Sequence, residues 1–448
     1  MTGLRRVLVA NRGEIAVRIV RACHTAGVEA VAVYSDADEH ARWVRMADEA
    51  LHIGRSSAQK SYLDVEGLLK AAKAAEVDAV HPGYGFLAEN SGFARAVRDA
   101  GLVFIGPPPE AIDLMGDKAT ARRTAEAAGV PVVPGSGPCS DQSEAERAAA
   151  ELGYPLLIKA AAGGGGRGIR PVRDAQELAD VLPSAQAEAQ SAFGDPTVYL
   201  ERALPRARHV EVQVLADEHG GVRHLFERDC SVQRRRQKLI EEAPAPQLSE
   251  DVRRGLADAA VRLAEHVGYR NAGTVEFLVD EEEGFYFIEM NTRIQVEHPI
   301  TEEVTGVDLV AEQLRISGGA PVSFDQDSVA VRGAAVELRI NAEDPQRGFA
   351  PTPGEVTAFQ LPGGPGVRFD TWIDVGDRVS PFYDSLLGKL VCWGADREQA
   401  LARARQALRE FHADGIATTA ELHRRLLDEP ELRHGPVHTT WLEQLLDG

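Results

Sequence analysis

Residues 274–299 read TVEFLVDEEEGFYFIEMNTRIQVEHP. Two apolar runs, Thr274–Val279 and Phe285–Asn291, flank an acidic turn, the pattern of an antiparallel strand pair. Glu276 sits among Val275, Phe277, Leu278 and Val279, and Glu289 follows Phe285-Tyr286-Phe287-Ile288. A carboxylate on so apolar a strand is costly unless a cation neutralises it. Glu289 and Asn291 are two apart and share a face, and a suitable hairpin register brings Glu276 opposite them. Two carboxylates and an amide oxygen suit Mg²⁺ or Mn²⁺ bridging to nucleotide phosphates. The plain alternative is the solvent side of an antiparallel sheet. Asn291 to Pro299 has neither strand nor helix period but is crowded with polar groups, the character of a substrate-handling segment. There Arg293 suits a planar carboxylate-like anion. Glu297 is a candidate base, with His298 as its competitor.

Upstream of this hairpin, Val210, Val212 and Val214 alternate with Glu211 and Gln213, the period of a half-buried strand. Asp217 to Gly221 turns into a strand from Val222 to Glu227, and a helix covers Ser249 to His266. Arg234-Arg235-Arg236-Gln237-Lys238 is a basic cluster, read either as a solvated loop or as anion attraction inside a site. The tail from Arg397 to Phe411 is helical.

The first hundred residues have a different grammar. Val7-Leu8-Val9-Ala10 is a strand, Asn11-Arg12-Gly13 a turn, and Ile15, Ile19, Val20 and Cys23 recur at helical spacing up to Gly27. Strands from Val28 to Tyr34, Val77 to Val80 and Leu102 to Ile105 alternate with helices. That alternation predicts a parallel sheet covered on both faces.

Between the two parts, residues 131–204 hold strands from Leu156 to Ala160, from Ile169, and from Thr197 to Glu201. Gly163, Gly165 and Gly168 fit G-x-G-x-x-G, but Ile169-Arg170-Pro171-Val172 follows as extended chain, not as the helix a dinucleotide site needs. A glycine hairpin folding over a triphosphate fits better, with Lys159 beside it as a point charge. The unit is expected to be a mobile flap without a core of its own.

The chain has 448 residues, 44% hydrophobic and 26% charged, which excludes a disordered or fibrous protein. Its 49 basic and 69 acidic residues leave a net charge of −20, which repels nucleic acid. The four cysteines are scattered and read as free thiols. The first apolar run, Val7 to Ala10, is too short for a signal core or a membrane span. The default expectation is a cytoplasmic enzyme. There is no Walker P-loop, zinc-spaced Cys/His set or G-x-S-x-G.

At this point the chain resembles the biotin carboxylases, ATP-grasp enzymes. The stretches that carry the resemblance are Val9-Ala10-Asn11-Arg12-Gly13-Glu14-Ile15-Ala16, His81-Pro82-Gly83-Tyr84-Gly85-Phe86-Leu87, Glu227-Arg228-Asp229-Cys230-Ser231, Glu289 to Pro299, Arg339-Ile340-Asn341-Ala342-Glu343-Asp344-Pro345 and Tyr383-Asp384-Ser385-Leu386-Leu387-Gly388-Lys389. The resemblance implies a multidomain α/β and α+β fold of ATP-grasp type. Its parts are an N-terminal doubly wound parallel-sheet domain (1–130), a glycine-loop lid (131–204) and a C-terminal antiparallel-sheet domain (205–448). It implies that ATP phosphorylates bicarbonate to carboxyphosphate, which delivers CO₂ to the ureido nitrogen of biotin. This is the first half-reaction of an acetyl-CoA or acyl-CoA carboxylase, on the way to fatty acids.

Carried over position by position, Lys118, Lys159, Gly165, Gly166, Glu201, Arg202, Leu204, His209, Gln233, Arg236 and Leu278 would bind ATP. Glu276, Glu289 and Asn291 would hold two Mg²⁺ or Mn²⁺ ions. Lys238, Arg293, Gln295 and Val296 would hold bicarbonate, Glu297 would deprotonate it, and Arg339 would stabilise the biotin enolate. The family carries biotin on a lysine inside Met-Lys-Met. Here the methionines are Met1, Met46, Met115 and Met290, none beside a lysine. A separate biotin carboxyl carrier protein and a carboxyltransferase are therefore implied, as is a homodimer.

Some positions depart from the family. Arg236 replaces a histidine, Ala161 and Ala162 replace Ser-Gly, Ala88 replaces a serine, and Pro171 sits in a lid strand. Two other readings stand beside this one. One is a different ATP-grasp ligase joining a carboxylate to an amine, against which the set Lys238, Arg293, Glu297 and Arg339 speaks. The other is a non-catalytic nucleotide-binding subunit, for which Arg236 speaks.

Overall fold

Val7 and Val9 face one hydrophobic core while Leu8 and Ala10 face another, as the two-residue period of a strand requires. In the computed structural model, which describes residues 3–160, 169–193 and 195–447, this strand (Arg6–Val9) is the centre of a five-stranded parallel sheet. The order is Glu49–Gly54, Glu29–Ser35, Arg6–Val9, Ala79–His81, Val103–Phe104. The helix Gly13–Thr25 packs on the Val7/Val9 side. Helices Val65–Ala74 and Ser91–Asp99 pack on the other, each started by a side-chain cap, Asp64 accepting from the Gly67 N–H and Asn90 from the Phe93 N–H. The edge strand Glu49–Gly54 was not foreseen, because its residues are only half-buried and carry no apolar run.

The strand ends place two of the family-like stretches together. Asn11 Nδ2 donates to the Pro82 carbonyl (2.6 Å) and the Tyr84 carbonyl (2.7 Å). Gly83 sits at φ +62°, where an added Cβ would lie 2.9 Å from Asn11 Nδ2, so both backbone and packing demand glycine.

Residues 205 onward form an eight-stranded antiparallel sheet in the order Phe285–Asn291, Asn271–Val279, Arg208–Ala216, Val222–Arg234, Gln237–Ala243, Ala334–Asn341, Leu386–Gly394, Val367–Thr371. Val210, Val212, Val214, Val275 and Phe277 line a core closed by the helix Glu250–His266. Full burial of each such side chain contributes about 1.5–3 kcal/mol. The expectation of a half-buried strand at Val210–Val214 is corrected here: Glu211 and Gln213, on the opposite face, are buried as well. That face does not meet water because the segment from Asn291 onward and the helix His298–Thr305 close over it.

A second correction concerns the lid. Its strands Ile169–Val172, Leu156–Ala160 and Val198–Arg202 form a three-stranded antiparallel sheet. Helices Gln142–Leu152 and Ala175–Phe193 cover it, and Ala145, Ala149, Leu156, Ile158, Leu178, Leu182 and Leu200 make a core of their own. Short apolar positions spread over two helices hid this core from a reading centred on the glycines. Gly163, Gly165, Gly166 and Gly168, with Ala161 and Ala162, lie outside the described residues. The four cysteines are free and buried. Among the described residues no helix is long and apolar enough to cross a membrane.

Candidate active site

Antiparallel pairing sets the site. Glu276 is directly opposite Glu289 on one side and Glu211 on the other, and Leu278 is opposite His209. Directly paired residues share a face, so one face of the sheet carries a row of acidic groups. Lys238 reaches into that row from the strand Gln237–Ala243, where it pairs with Gln233. Its ammonium donates to Glu211 Oε2 (2.6 Å), Glu276 Oε1 (2.9 Å) and Glu297 Oε1 (2.7 Å). Glu211 and Glu297 have no solvent-exposed side-chain surface.

Burial alone would push Glu297 up, but Lys238, Arg339 and Arg228 hold it well below the usual carboxylate range. Burial likewise opposes Glu276, which Lys238 and His209 bring well below that range. Lys238 is held well above the ordinary lysine value despite its burial, by Cys230, Glu211, Glu276 and Glu297. The ions therefore stay charged because each faces its opposite within hydrogen-bond distance.

Arg339, on Ala334–Asn341, bridges two carboxylates: Nε donates to Glu241 Oε1 (2.5 Å) and Nη2 to Glu297 Oε2 (2.9 Å). Arg293 donates to Glu89 (2.9 Å), Gln295 Oε1 (2.8 Å) and Asn291 Oδ1 (2.8 Å). Gln295 and Asn291 turn their amide N–H groups to Glu276 Oε1, at 3.1 and 2.9 Å. His209 Nε2 lies 3.0 Å from Glu276 Oε2. The Val296 carbonyl accepts from Lys389 Nζ (2.8 Å), which also pairs with Glu14 (3.1 Å). Lys238, Arg339 and Val296 line a cavity of about 290 Å³ whose other walls include Tyr84, Leu239, Phe349 and Leu386.

So the structure gathers Lys238, Arg293, Gln295, Glu297, Arg339, His209, Glu276 and Asn291 into one network, with Val296 on the wall of the cavity that Lys238 and Arg339 line. Other sequence candidates stand around it. Lys118 Nζ is 3.6 Å from Glu289 Oε2. Lys159 pairs with Glu201 within the lid sheet. Arg202 donates to the Tyr286 hydroxyl (2.6 Å), and Leu204 lies just beyond that lid strand. Arg236 is exposed at the tip of a hairpin, so the basic cluster is partly strand and partly turn. His298 does not compete as a base. It opens the helix His298–Thr305, is buried, and turns Nδ1 to the Gln295 carbonyl at 2.8 Å.

Sequence reasoning missed Glu211, Arg228, Glu241 and Cys230. Arg228 is wholly buried and ties Glu211, Gln213, Thr274 and Thr301 together. The signal was available: polar residues alternating with valines on a strand, if both faces are taken as covered. A divalent cation fits the donor chemistry. Glu276 and Glu289 face each other across adjacent strands, and Asn291, beside Glu276, adds a hard oxygen on rotation of its amide.

A parallel-sheet domain, a small lid with a three-stranded sheet of its own and an antiparallel sheet bearing a charged cleft define an ATP-grasp enzyme. Three family models match the chain: biotin carboxylase, N-terminal domain, over residues 3–112; carbamoyl-phosphate synthase L chain, ATP binding domain, over 117–324; and biotin carboxylase C-terminal domain, over 337–444. The biotin carboxylase of Pseudomonas aeruginosa is 52% identical over 445 residues, covering 99% of both chains. Biotin carboxylase 1 of Bacillus subtilis is 50% identical over 442 residues, covering 98% of both chains. Among solved structures, the biotin carboxylase domain dimer of Hydrogenobacter thermophilus 2-oxoglutarate carboxylase, in complex with MgADP, ADP and bicarbonate, superimposes with a TM-score of 0.90. It is 46% identical and the match covers 98% of this chain and 97% of that one. The chain belongs to the biotin carboxylase family.

Proposed function

We propose that this chain carboxylates biotin, using ATP and bicarbonate, as the first half-reaction of a biotin-dependent carboxylase. The observation that carries this reading is Glu297 held between Lys238 and Arg339 beside a cavity. In this state Glu297 is ionised but weakly basic, because two cations bind its oxygens. A bicarbonate ion that takes over the donors of Lys238 and Arg293 strips Glu297 of one partner. Its basicity then rises where the proton is to be accepted. Gln295 and the Val296 backbone complete the bicarbonate set. Deprotonated bicarbonate attacks the γ-phosphoryl group of ATP and expels ADP; the resulting carboxyphosphate breaks into CO₂ and phosphate, the phosphate takes the ureido N–H proton, and the ureido nitrogen bonds to CO₂. Arg339 carries a permanent charge to the edge of the cavity, where it stabilises the negative charge that develops on the biotin ring.

ATP is assigned to Lys118, Lys159, Gly165, Gly166, Glu201, Arg202, Leu204, His209, Gln233, Arg236 and Leu278. Glu276, Glu289 and Asn291 are the residues that would hold Mg²⁺ or Mn²⁺, which neutralises phosphate oxygens when bound. The division into 1–130, 131–204 and 205–448 belongs to this reading, since each span carries its own sheet. So do a cytoplasmic location, a homodimer, a biotin-bearing carrier protein and a carboxyltransferase as partners.

The test is ATP cleavage with free biotin. ADP release is expected only with bicarbonate, divalent metal and biotin together. Equal cleavage without biotin or bicarbonate would point to another ligase, and binding without cleavage to a non-catalytic role.

A further inference from the structure

Two rims border the cavity that holds Lys238 and Arg339. One is the hairpin tip between Arg234 and Gln237, both of which line it. The tip residues Arg235 and Arg236 are exposed and sit at φ +48° and +66°. Positive φ at both central residues is the geometry of a tight two-residue hairpin turn, here occupied by two arginines where glycine or asparagine is usual. Here the Arg235 N–H donates to Glu443 Oε1 (2.8 Å), and the Arg234 guanidinium lies over the Phe349 ring, 4.1 Å from its centroid.

The other rim is the loop of Phe382, Tyr383 and Asp384. Tyr383 is anchored: its hydroxyl is 2.6 Å from Ser35 Oγ and its ring lies 4.2 Å from the Arg12 guanidinium. Asp384 lines both this cavity and an adjoining one of about 350 Å³ that Phe382 borders. Phe382, next to so fixed a residue, is nevertheless 57% exposed, one of three large apolar side chains that face solvent among the described residues.

We propose that Phe382 and Arg235, at the hairpin tip, form the docking surface for the biotinylated carrier domain, an acidic partner group meeting Arg235 and an apolar side chain meeting Phe382. This rests on the carboxylase reading above. A biotin ring tethered to a protein enters the cavity only if that protein is pressed against the cavity's rims. The chain carries a net charge of −20, so its overall field disfavours an acidic partner. Three consecutive arginines at one rim supply a local positive potential that selects the docking face. Phe382 supplies the desolvated contact that slows release.

The experiment compares free biotin with a biotinylated carrier domain as substrates for wild type, Arg235→Asn and Phe382→Ser. Asparagine tolerates the left-handed backbone at the tip. Arg235→Asn is expected to lower kcat/KM for the carrier about tenfold at low salt, with the gap closing at high salt as the charge is screened. Phe382→Ser is expected to lower it about tenfold at either salt. Free biotin should stay within about twofold of wild type in both variants, on the premise that neither residue belongs to the chemistry. Unchanged carrier kinetics, or an equal loss with free biotin, overturns the docking surface. Failure of wild type to use free biotin overturns the carboxylase reading and this proposal with it.

Discussion

Lys238 Nζ lies 2.7 Å from Glu297 Oε1, and the same ammonium binds Glu211 and Glu276. One cation thus serves three carboxylates that come from three separate segments of the chain. The arrangement ties the candidate base to the row that would face nucleotide and metal. A substrate anion that draws Lys238 away from Glu297 changes the charge state of the whole cluster.

Glu297→Gln keeps the size of the side chain but cannot accept a proton. Turnover is expected to fall about 10²–10⁴-fold, while ATP affinity, measured by equilibrium binding, stays near wild type. An unchanged kcat would place the base elsewhere.

Lys238→Met leaves Glu211, Glu276 and Glu297 facing one another without their shared cation. Breaking a buried ion pair from one side costs about 3–5 kcal/mol, read as a fall in the urea midpoint. Adding Glu276→Gln should recover part of that loss, because Glu211 keeps Arg228 and Glu297 keeps Arg339 while Glu276 has no arginine partner. Strict additivity of the two substitutions would show that they do not interact.

Glu241 is pushed up to about 7 from an ordinary 4.5, first by burial and against the pull of Arg339. Its folded form therefore holds a proton that the unfolded chain has already lost between those values. The associated stability is fully present below about pH 4.5 and is lost as pH rises through about 7. Thermal midpoints of wild type should carry this decline, and Glu241→Gln should flatten it. Parallel profiles for the two proteins would rule the assignment out.

Arg236→His exchanges a permanent charge with five donors for a ring whose charge depends on pH. Histidine tolerates the left-handed backbone found at this tip. Nucleotide affinity is expected to weaken and ADP release to quicken, with biotin-dependent chemistry retained in both proteins. Restoration of chemistry by the histidine in an otherwise inactive protein would make wild type non-catalytic.

Much of the architecture was legible because periodicity is local. The alternation at Val7–Ala10 and the spacing from Ile15 to Cys23 announce a parallel unit, and the acidic turn between Val279 and Phe285 announces a hairpin. Glu276 and Glu289 could be proposed as neighbours from the two strands alone. The register that sets them directly opposite each other does not follow from those strands, since a turn of this length accommodates more than one pairing. The lid's core was hidden because its alanines and leucines are scattered over two helices and three strands.

By itself, then, the chain's sequence determined the order of the parts, the chemistry of the candidate residues and their resemblance to one family. Only the tertiary structure decided how Lys238, Glu297 and Arg339 meet, with Glu297 held between the two cations, and that Glu211, Arg228 and Glu241 stand among them. Lys238 and Glu297 are 59 residues apart, and no local pattern records such a distance. The reason is physical. A buried charge is tolerable only beside its opposite, and which opposite it finds depends on how strands from distant segments pair and on what closes over the sheet face.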